Sequence, residues 1–302
     1  MKFENNNITF SYLVATLKMG AFDIGVMTWE GKDALEAIEW VDSLGFKTMH
    51  LGSPPIEHFI DEKKEKLIKK LKETGIKISA IFVHWKGTNY VKKETIGLIN
   101  PIYREERIKH VFMTSDFAKD LGVDKLAQHV GYIPENTSDL YHRIIYKGLV
   151  DAMQKITEFL DKNNQSWLCE TGQETPETLV RFIEDVGAKN LKINFDPANL
   201  LYYGWMNGIE IDLIASLELL KDYIEGVHCK DGLFPEVEAR ERKPHMVKEV
   251  PFGKGQVGAK QFIQKLNEIG YNGPLIIERE MATTEQRIND IKWTHEFLEK
   301  MM

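Results

Sequence analysis

Cysteine is nearly absent, with Cys169 and Cys229 the only two in 302 residues. Two thiols make neither a disulfide framework nor a cysteine-rich zinc site, and they suit a reducing cytoplasm. Positive charge is not in excess: 39 Lys and Arg stand against 46 Asp and Glu, a formal net charge of −7. A nucleic-acid binder usually presents a basic face, so no nucleic-acid partner is expected. No apolar run reaches the roughly 20 residues that span a bilayer, so no membrane partner is expected. The most apolar stretch, residues 8–29, is interrupted by Lys18 and Asp23 and follows no basic cluster beyond Lys2. Without a compact core and a small-residue cleavage site it does not read as a signal peptide. The first regular apolar run continues as IGVMTWEG, with no GxGxxG spacing, which weighs against an open dinucleotide-binding sheet. No linker, low-complexity tract or charge block divides the chain.

What the chain does have is alternation. Eight short apolar runs, at 22–27, 46–51, 76–83, 124–130, 166–170, 191–196, 224–230 and 274–278, read as strands. Each precedes a segment whose apolar residues recur every three or four positions, as Leu35, Ile38, Val41 and Leu44 do. Gly45, Gly75, Gly122, Gly187 and Gly270 stand where helix should give way to strand, a place where a left-handed residue closes the helix. Thr175-Pro176 and the Thr283/Gln286 spacing mark helix starts. Eight strand–helix units predict a parallel sheet closed as an α/β, (β/α)8 TIM barrel, a single domain over 19–302 behind an N-terminal extension at 1–18. Met19 could serve as an alternative start. Two strand-to-helix connections are long, 84–104 and 231–257, on the face where such barrels build chemistry. The second is either a solvated flap or a lid over substrate.

Polar residues end the last four apolar runs: Glu170 in SWLCE, Asp196 in LKINFD, His228 in EGVHCK and Glu278 in PLIIE. One such residue alone could be a helix cap or a surface charge. Four on consecutive strands would converge at the barrel mouth, where three carboxylates and an imidazole need a divalent cation to coexist. Two Glu, one Asp and one His suit Mn²⁺ or Zn²⁺ best, with Co²⁺ or Mg²⁺ open.

The segments LCETGQETPETL, INFDPANLLYYG, GVHCKDG, VPFGKGQVG and PLIIERE, in this order, resemble the xylose-isomerase-like TIM-barrel superfamily. More narrowly they are similar to its sugar phosphate isomerase/epimerase branch, related to the apurinic-endonuclease barrels. The resemblance implies one catalytic metal held by Glu170, Asp196, His228 and Glu278, with Glu170 and Glu278 also acting as acid and base. It implies a metal-dependent isomerase or epimerase of a sugar, ketose or keto-polyol, working through carboxylate proton transfer and a metal-stabilised enediolate. The endonuclease relatives carry a trinuclear zinc site, and this sequence departs from their pattern. Asn199 stands where they have a histidine, and Val247 and Glu249 align with their Asp-x-His, with His245 nearby but out of register.

Smaller expectations attach to other residues. His84 and His129 end the third and fourth strands and could face substrate, be structural, or hold a second metal. Gln173 and Asn199 could bind sugar hydroxyls or cap turns. Lys230 could meet an anionic or hydroxyl group of the substrate, and Asp231 could orient a water beside the ion. Trp29, Trp85 and Trp205 could form a platform for a sugar face or simply pack loops. Alternation along the strands turns Cys169 and Cys229 away from the site, into the core. The expected partner is a small sugar-like substrate; the absence of a glycine-rich phosphate cradle leans toward one without a phosphate, and the sequence leaves both phosphorylated and free sugars open. A lyase or dehydratase using the same proton abstraction is the alternative; a phosphoesterase and a non-catalytic sugar-binding module rank below it. A homo-oligomer face on the outer helices is open, but the sequence locates none.

Overall fold

The structure is a computed structural model that describes residues 22–28, 33–89 and 92–302. The extension at 1–18, Met19 and Trp29 lie outside the described residues. Strands β1 (Ile24–Met27), β2 (Thr48–Gly52), β3 (Lys77–Phe82), β4 (Lys125–Gln128), β5 (Ser166–Glu170), β6 (Leu191–Phe195) and β7 (Ile224–Cys229) follow the expected runs. Two three-residue strands, β8 (Asp231–Leu233) and β9 (Lys248–Val250), precede β10 (Leu275–Ile277). The barrel closes in the order β1-β10-β7-β6-β5-β4-β3-β2, all neighbours parallel. This is the eight-stranded TIM barrel that the alternation predicts, in one domain.

The helices α1 (Ala34–Ser43), α2 (Asp61–Thr74), α3 (Pro101–Asp120), α4 (Leu140–Lys162), α5 (Pro176–Val186), α6 (Pro197–Asn207), α7 (Leu213–Leu220), α8 (Ala259–Glu268) and α9 (Thr284–Glu299) surround it. Their starts follow cap chemistry. The Asp33 side chain accepts from the backbone N–H of Leu35 and Glu36, Thr175 accepts from Thr178 with Pro176 in the first turn, and Thr283 accepts from Gln286. Gly75 and Gly187 close α2 and α5 at φ of 68° and 71°, where a side chain would be strained. In α1 the buried face is Ala34, Ala37, Ile38 and Val41. The crossover from β6 to β7 uses two helices, α6 and α7, where one had been expected.

Two cores result. The larger fills the space between strands and helices, with Trp167, Phe182, Phe195 and Phe262 wholly buried. The smaller fills the barrel itself with Met27, Phe82, Ala127, Leu168 and Ile276. Met27 and Phe82 form its upper layer and line the cavity above.

The long connection after β7 is structured near both ends, and its residues Phe234, Pro244 and Val247 line the cavity, in keeping with the lid alternative. β8 and β9 pair antiparallel, Asp231 opposite Val250 and Leu233 opposite Lys248, and carry the chain as a ribbon across the barrel mouth. Glu249 on β9 ties the ribbon down: its Oε1 accepts from the buried Arg279 guanidinium at 2.6 Å and from the Glu280 N–H at 2.8 Å. Arg279 Nε reaches Asp290 at 2.9 Å, so the latch continues into α9.

Candidate metal centre and active site

Parallel strands in register deliver their C-terminal residues to one level, so a polar residue at each strand end meets its neighbours across the mouth. Glu170 is the last residue of β5, Asp196 follows β6, His228 is in β7 and Glu278 follows β10. Each offers one ligand atom, and those atoms lie within 4.8 Å of one another. His228 Nδ1 is 2.7 Å from Glu278 Oε2, 3.0 Å from Glu170 Oε1 and 3.8 Å from Asp196 Oδ2. All four side chains are buried. Glu170 and Glu278 come from the outer two of these four adjacent strands and bracket the Asp and His between them.

Asp196 Oδ2, His228 Nδ1 and Glu278 Oε2 are fully buried without a hydrogen-bond partner. Leaving three such atoms unsatisfied at one point is costly, and a divalent cation would satisfy all of them together. The donor set, three carboxylates and one imidazole nitrogen, fits a borderline-hard ion. Burial opposes charge on His228, but Glu278, Asp196 and Glu170 outweigh it and hold the imidazolium well above the usual histidine range. Glu278 shows the converse: burial pushes its carboxyl up, yet Lys230 and His228 prevail and keep it below its usual value.

Asp196 serves two elements at once. Its Oδ1 accepts from the Asn199 N–H at 2.8 Å and caps α6, while Oδ2 faces the cluster. Cap and candidate ligand are therefore the same residue. Gly172, at φ 119°, lets the loop after β5 press against this helix start; a Cβ there would lie 2.4 Å from the Asn199 Cβ.

His50, in the middle of β2, drew no attention in the sequence. Its Nδ1 lies 3.1 Å from His228 Nε2, and both rings are buried. Burial, followed by the charges of His228 and Lys125, holds His50 well below the usual histidine range and keeps it neutral. With His50 Nδ1 accepting, a His228 that yields its Nδ1 proton to a cation would keep the other proton on Nε2 and turn its Nδ1 lone pair into the cluster. His50→Phe is expected to weaken divalent-metal binding by about 10–100-fold, read by competition with a chromogenic chelator. Unchanged affinity would show that the pair has no orienting effect.

The remaining expected residues divide. His129 borders the cavity and touches Glu170 twice: Nδ1 is 3.1 Å from the Glu170 carbonyl and Nε2 is 3.2 Å from Oε2. A carbonyl can only accept, so Nδ1 donates and the ring is fixed against the carboxylate. His84 is exposed on the cavity wall. Gln173 and Asn199 both line the cavity, and the buried Gln173 Oε1 has no partner. Lys230 Nζ lies 2.6 Å from Glu280, 3.3 Å from Glu278 and 4.0 Å from Asp196.

Asp231 departs from expectation. It borders the cavity, yet its carboxylate accepts the backbone N–H of Gly232, Gly253, Gly255 and Val257, at 2.9 Å for the first and 3.0 Å for the rest. It clamps the glycine loop after β9 and has no acceptor capacity to spare for a water at the cluster. A Cβ on Gly255 would lie 2.2 Å from Asp231 Oδ1, so that loop needs glycine to close on the carboxylate.

For Trp85 and Trp205 the packing alternative holds. Trp85 is buried and stacks on Trp167 at 6.0 Å, because the loop after β3 turns it into the outer core. Trp205 donates to the Pro235 carbonyl at 2.9 Å and stands behind the cavity wall. Phe82, Tyr132, Tyr202 and Phe234 supply the aromatic lining instead. Cys169 and Cys229 are free and buried, and burial raises both thiols well above the usual range. The cavity above the cluster measures about 800 Å³. Among the described residues no helix is long and apolar enough to cross a membrane.

A family model described as xylose isomerase-like TIM barrel matches residues 38–301. The structure of a xylose isomerase domain protein from Planctomyces limnophilus is 31% identical, superposes with a TM-score of 0.81, and shares 93% of this chain and 97% of its own. A protein named probable endonuclease 4, from Persephonella marina, is 25% identical over 76% of this chain and 80% of its own length. The L-ribulose-5-phosphate 3-epimerase UlaE of Escherichia coli O139:H28 is 21% identical over 90% of this chain and 91% of its own.

Proposed function

The chain belongs to the xylose isomerase-like TIM-barrel family, and from that premise we propose that it is a divalent-metal-dependent isomerase or epimerase of a sugar, ketose or keto-polyol. The observation that carries this reading is the convergence of three unsatisfied buried atoms, on Asp196, His228 and Glu278, beside Glu170. Glu170, Asp196, His228 and Glu278 would hold the ion, with Mn²⁺ or Zn²⁺ the best matches and Co²⁺ or Mg²⁺ compatible. When bound, it would supply Lewis acidity toward the substrate's oxygens and lower the cost of removing a proton from the adjacent carbon.

The chain's own groups do the rest. Glu170 and Glu278 bracket the centre, so one can remove a proton from a carbon while the other returns it from the other side. Both face His228, but their other neighbours differ: Glu278 also meets the Lys230 ammonium, whereas Glu170 also meets His129. Gln173, Asn199 and His84 on the wall would bind hydroxyls, with Lys230 at the floor. Two free thiols accord with a reducing cytoplasmic setting.

The test is solvent exchange. Metal-loaded protein, incubated in deuterium oxide with a panel of free ketoses and keto-inositols, is expected to place deuterium at the carbon beside the carbonyl without losing any group. Loss of water from the substrate would instead favour a dehydratase. Cleavage of abasic-site DNA without sugar exchange would overturn the reading.

A further inference from the structure

Sugar hydroxyls require hydrogen-bond partners, and this cavity supplies them at its floor, around Glu170, Glu278 and Lys230, and on the wall at His84, Gln173 and Asn199. Beyond what a bare monosaccharide needs, Ile96, Tyr132, Tyr202, Phe234, Pro244 and Met281 add an apolar and aromatic lining. The cavity volume of about 800 Å³ lies in the upper part of the roughly 300–1,000 Å³ that encloses drug-sized ligands.

The aromatic wall is built, not incidental. The Phe234 ring packs on Gly232, where a Cβ would come within 3.1 Å of Phe234 Cζ, and its backbone N–H donates to Gln256 Oε1 at 2.6 Å. Trp205 backs the same ring at 6.5 Å and is itself fixed by its bond to the Pro235 carbonyl. Tyr202 lies one helical turn before Trp205 on α6. Lys230 is the sole Lys or Arg among the described lining residues, and Glu278 and Glu280 already neutralise it. Glu249 and Glu280 are in turn paired with Arg279 and Lys230, so these lining charges are matched within the protein.

We infer that the substrate is a glycoside whose sugar ring carries a ketone and sits on the acidic floor, so that the proton on the adjacent carbon can be removed, and whose uncharged, flat apolar aglycone lies against Phe234 and Tyr202. This deepens the isomerase/epimerase reading and rests on it for the position of the sugar ring. Aromatic stacking supplies selectivity because a flat ring against Phe234 removes apolar area from water and gains a face-to-face contact.

Metal-loaded full-length protein is titrated calorimetrically with paired probes: 4-nitrophenyl and methyl glycosides of glucose (both anomers), galactose and xylose, with fructose and fructose 6-phosphate alongside. In at least one pair the aryl glycoside is expected to bind about tenfold or more tightly than its methyl counterpart. That ratio should fall to about two or less in both Phe234→Ala and the apolar but non-aromatic Phe234→Leu. Equal binding within every pair, no binding by any glycoside, or tighter binding of fructose 6-phosphate than of every aryl glycoside overturns the inference. Protein that takes up metal and exchanges deuterium into free ketoses, yet shows no aryl preference, sinks this inference alone. Protein that prefers aryl glycosides but takes up no divalent ion sinks the metal-dependent reading instead.

Discussion

Glutamine at both Glu170 and Glu278 is expected to abolish metal retention, taking elemental analysis of purified protein from about one Mn²⁺ or Zn²⁺ per chain to none. The double change removes two of three anionic donors while keeping the shape of both side chains. Metal-dependent solvent exchange should fall by at least about 10³-fold in either single variant, since each loses a group that takes or gives the proton. The singles should differ in one respect. Glu278 faces both His228 and Lys230, so Glu278→Gln also leaves a buried ammonium with only Glu280 and Asp196 near it, at 2.6 and 4.0 Å. Its thermal midpoint should therefore fall further than that of Glu170→Gln. Full metal content in the double variant would mean that the four-residue centre is misread. Two or three ions per chain in the wild type would bring His84 and His129 into the ligand set and revive hydrolysis.

The second large effect concerns folding. Asp231→Ala strands four N–H groups that the carboxylate gathers, in a loop tight enough to need Gly255 beneath it. Hydrogen bonds to a charged acceptor are among the stronger ones, and losing this set should cost roughly 3–4 kcal/mol. For a chain of this size that lowers the midpoint by about 5–6 °C, measurable by calorimetry. Because Asp231 faces the loop, Asp231→Asn should still hold about one metal ion per chain. Loss of the ion with no loss of stability would return Asp231 to the cluster.

Much of this architecture is legible in the chain itself. Alternating apolar runs and helical stripes dictate the barrel, and the glycines at 45, 75, 122, 187 and 270 all take the positive φ that a helix-to-strand junction favours. Glu170, Asp196, His228 and Glu278 stand out because a polar residue ending an apolar strand is costly without a purpose. His50 does not stand out. It lies inside an apolar run, and only closure of the barrel brings it against His228, three strands away around the ring. The ribbon is equally hidden, since β8 and β9 are three residues each and separated by fourteen, too short for a period to show. Asp231 misleads through adjacency: it is three residues from His228, but the chain turns into the ribbon there and reverses its direction. Trp85 stays open in the sequence, since standing after a strand does not say which way a ring will fold.

The ribbon carries one further consequence. Phe234, Pro244 and Val247 line the cavity from the span between β8 and β9, whereas the four cluster residues all belong to the barrel rim. The span begins at the Asp231 clamp and ends at the Glu249–Arg279 latch, both set in the frame rather than in the span itself. Residues 233–247 therefore form an exchangeable cassette. Mutation, insertion or recombination there can reshape the cavity while the four-residue cluster beneath stays in place, so lineages sharing this floor can diverge in diet without rebuilding it.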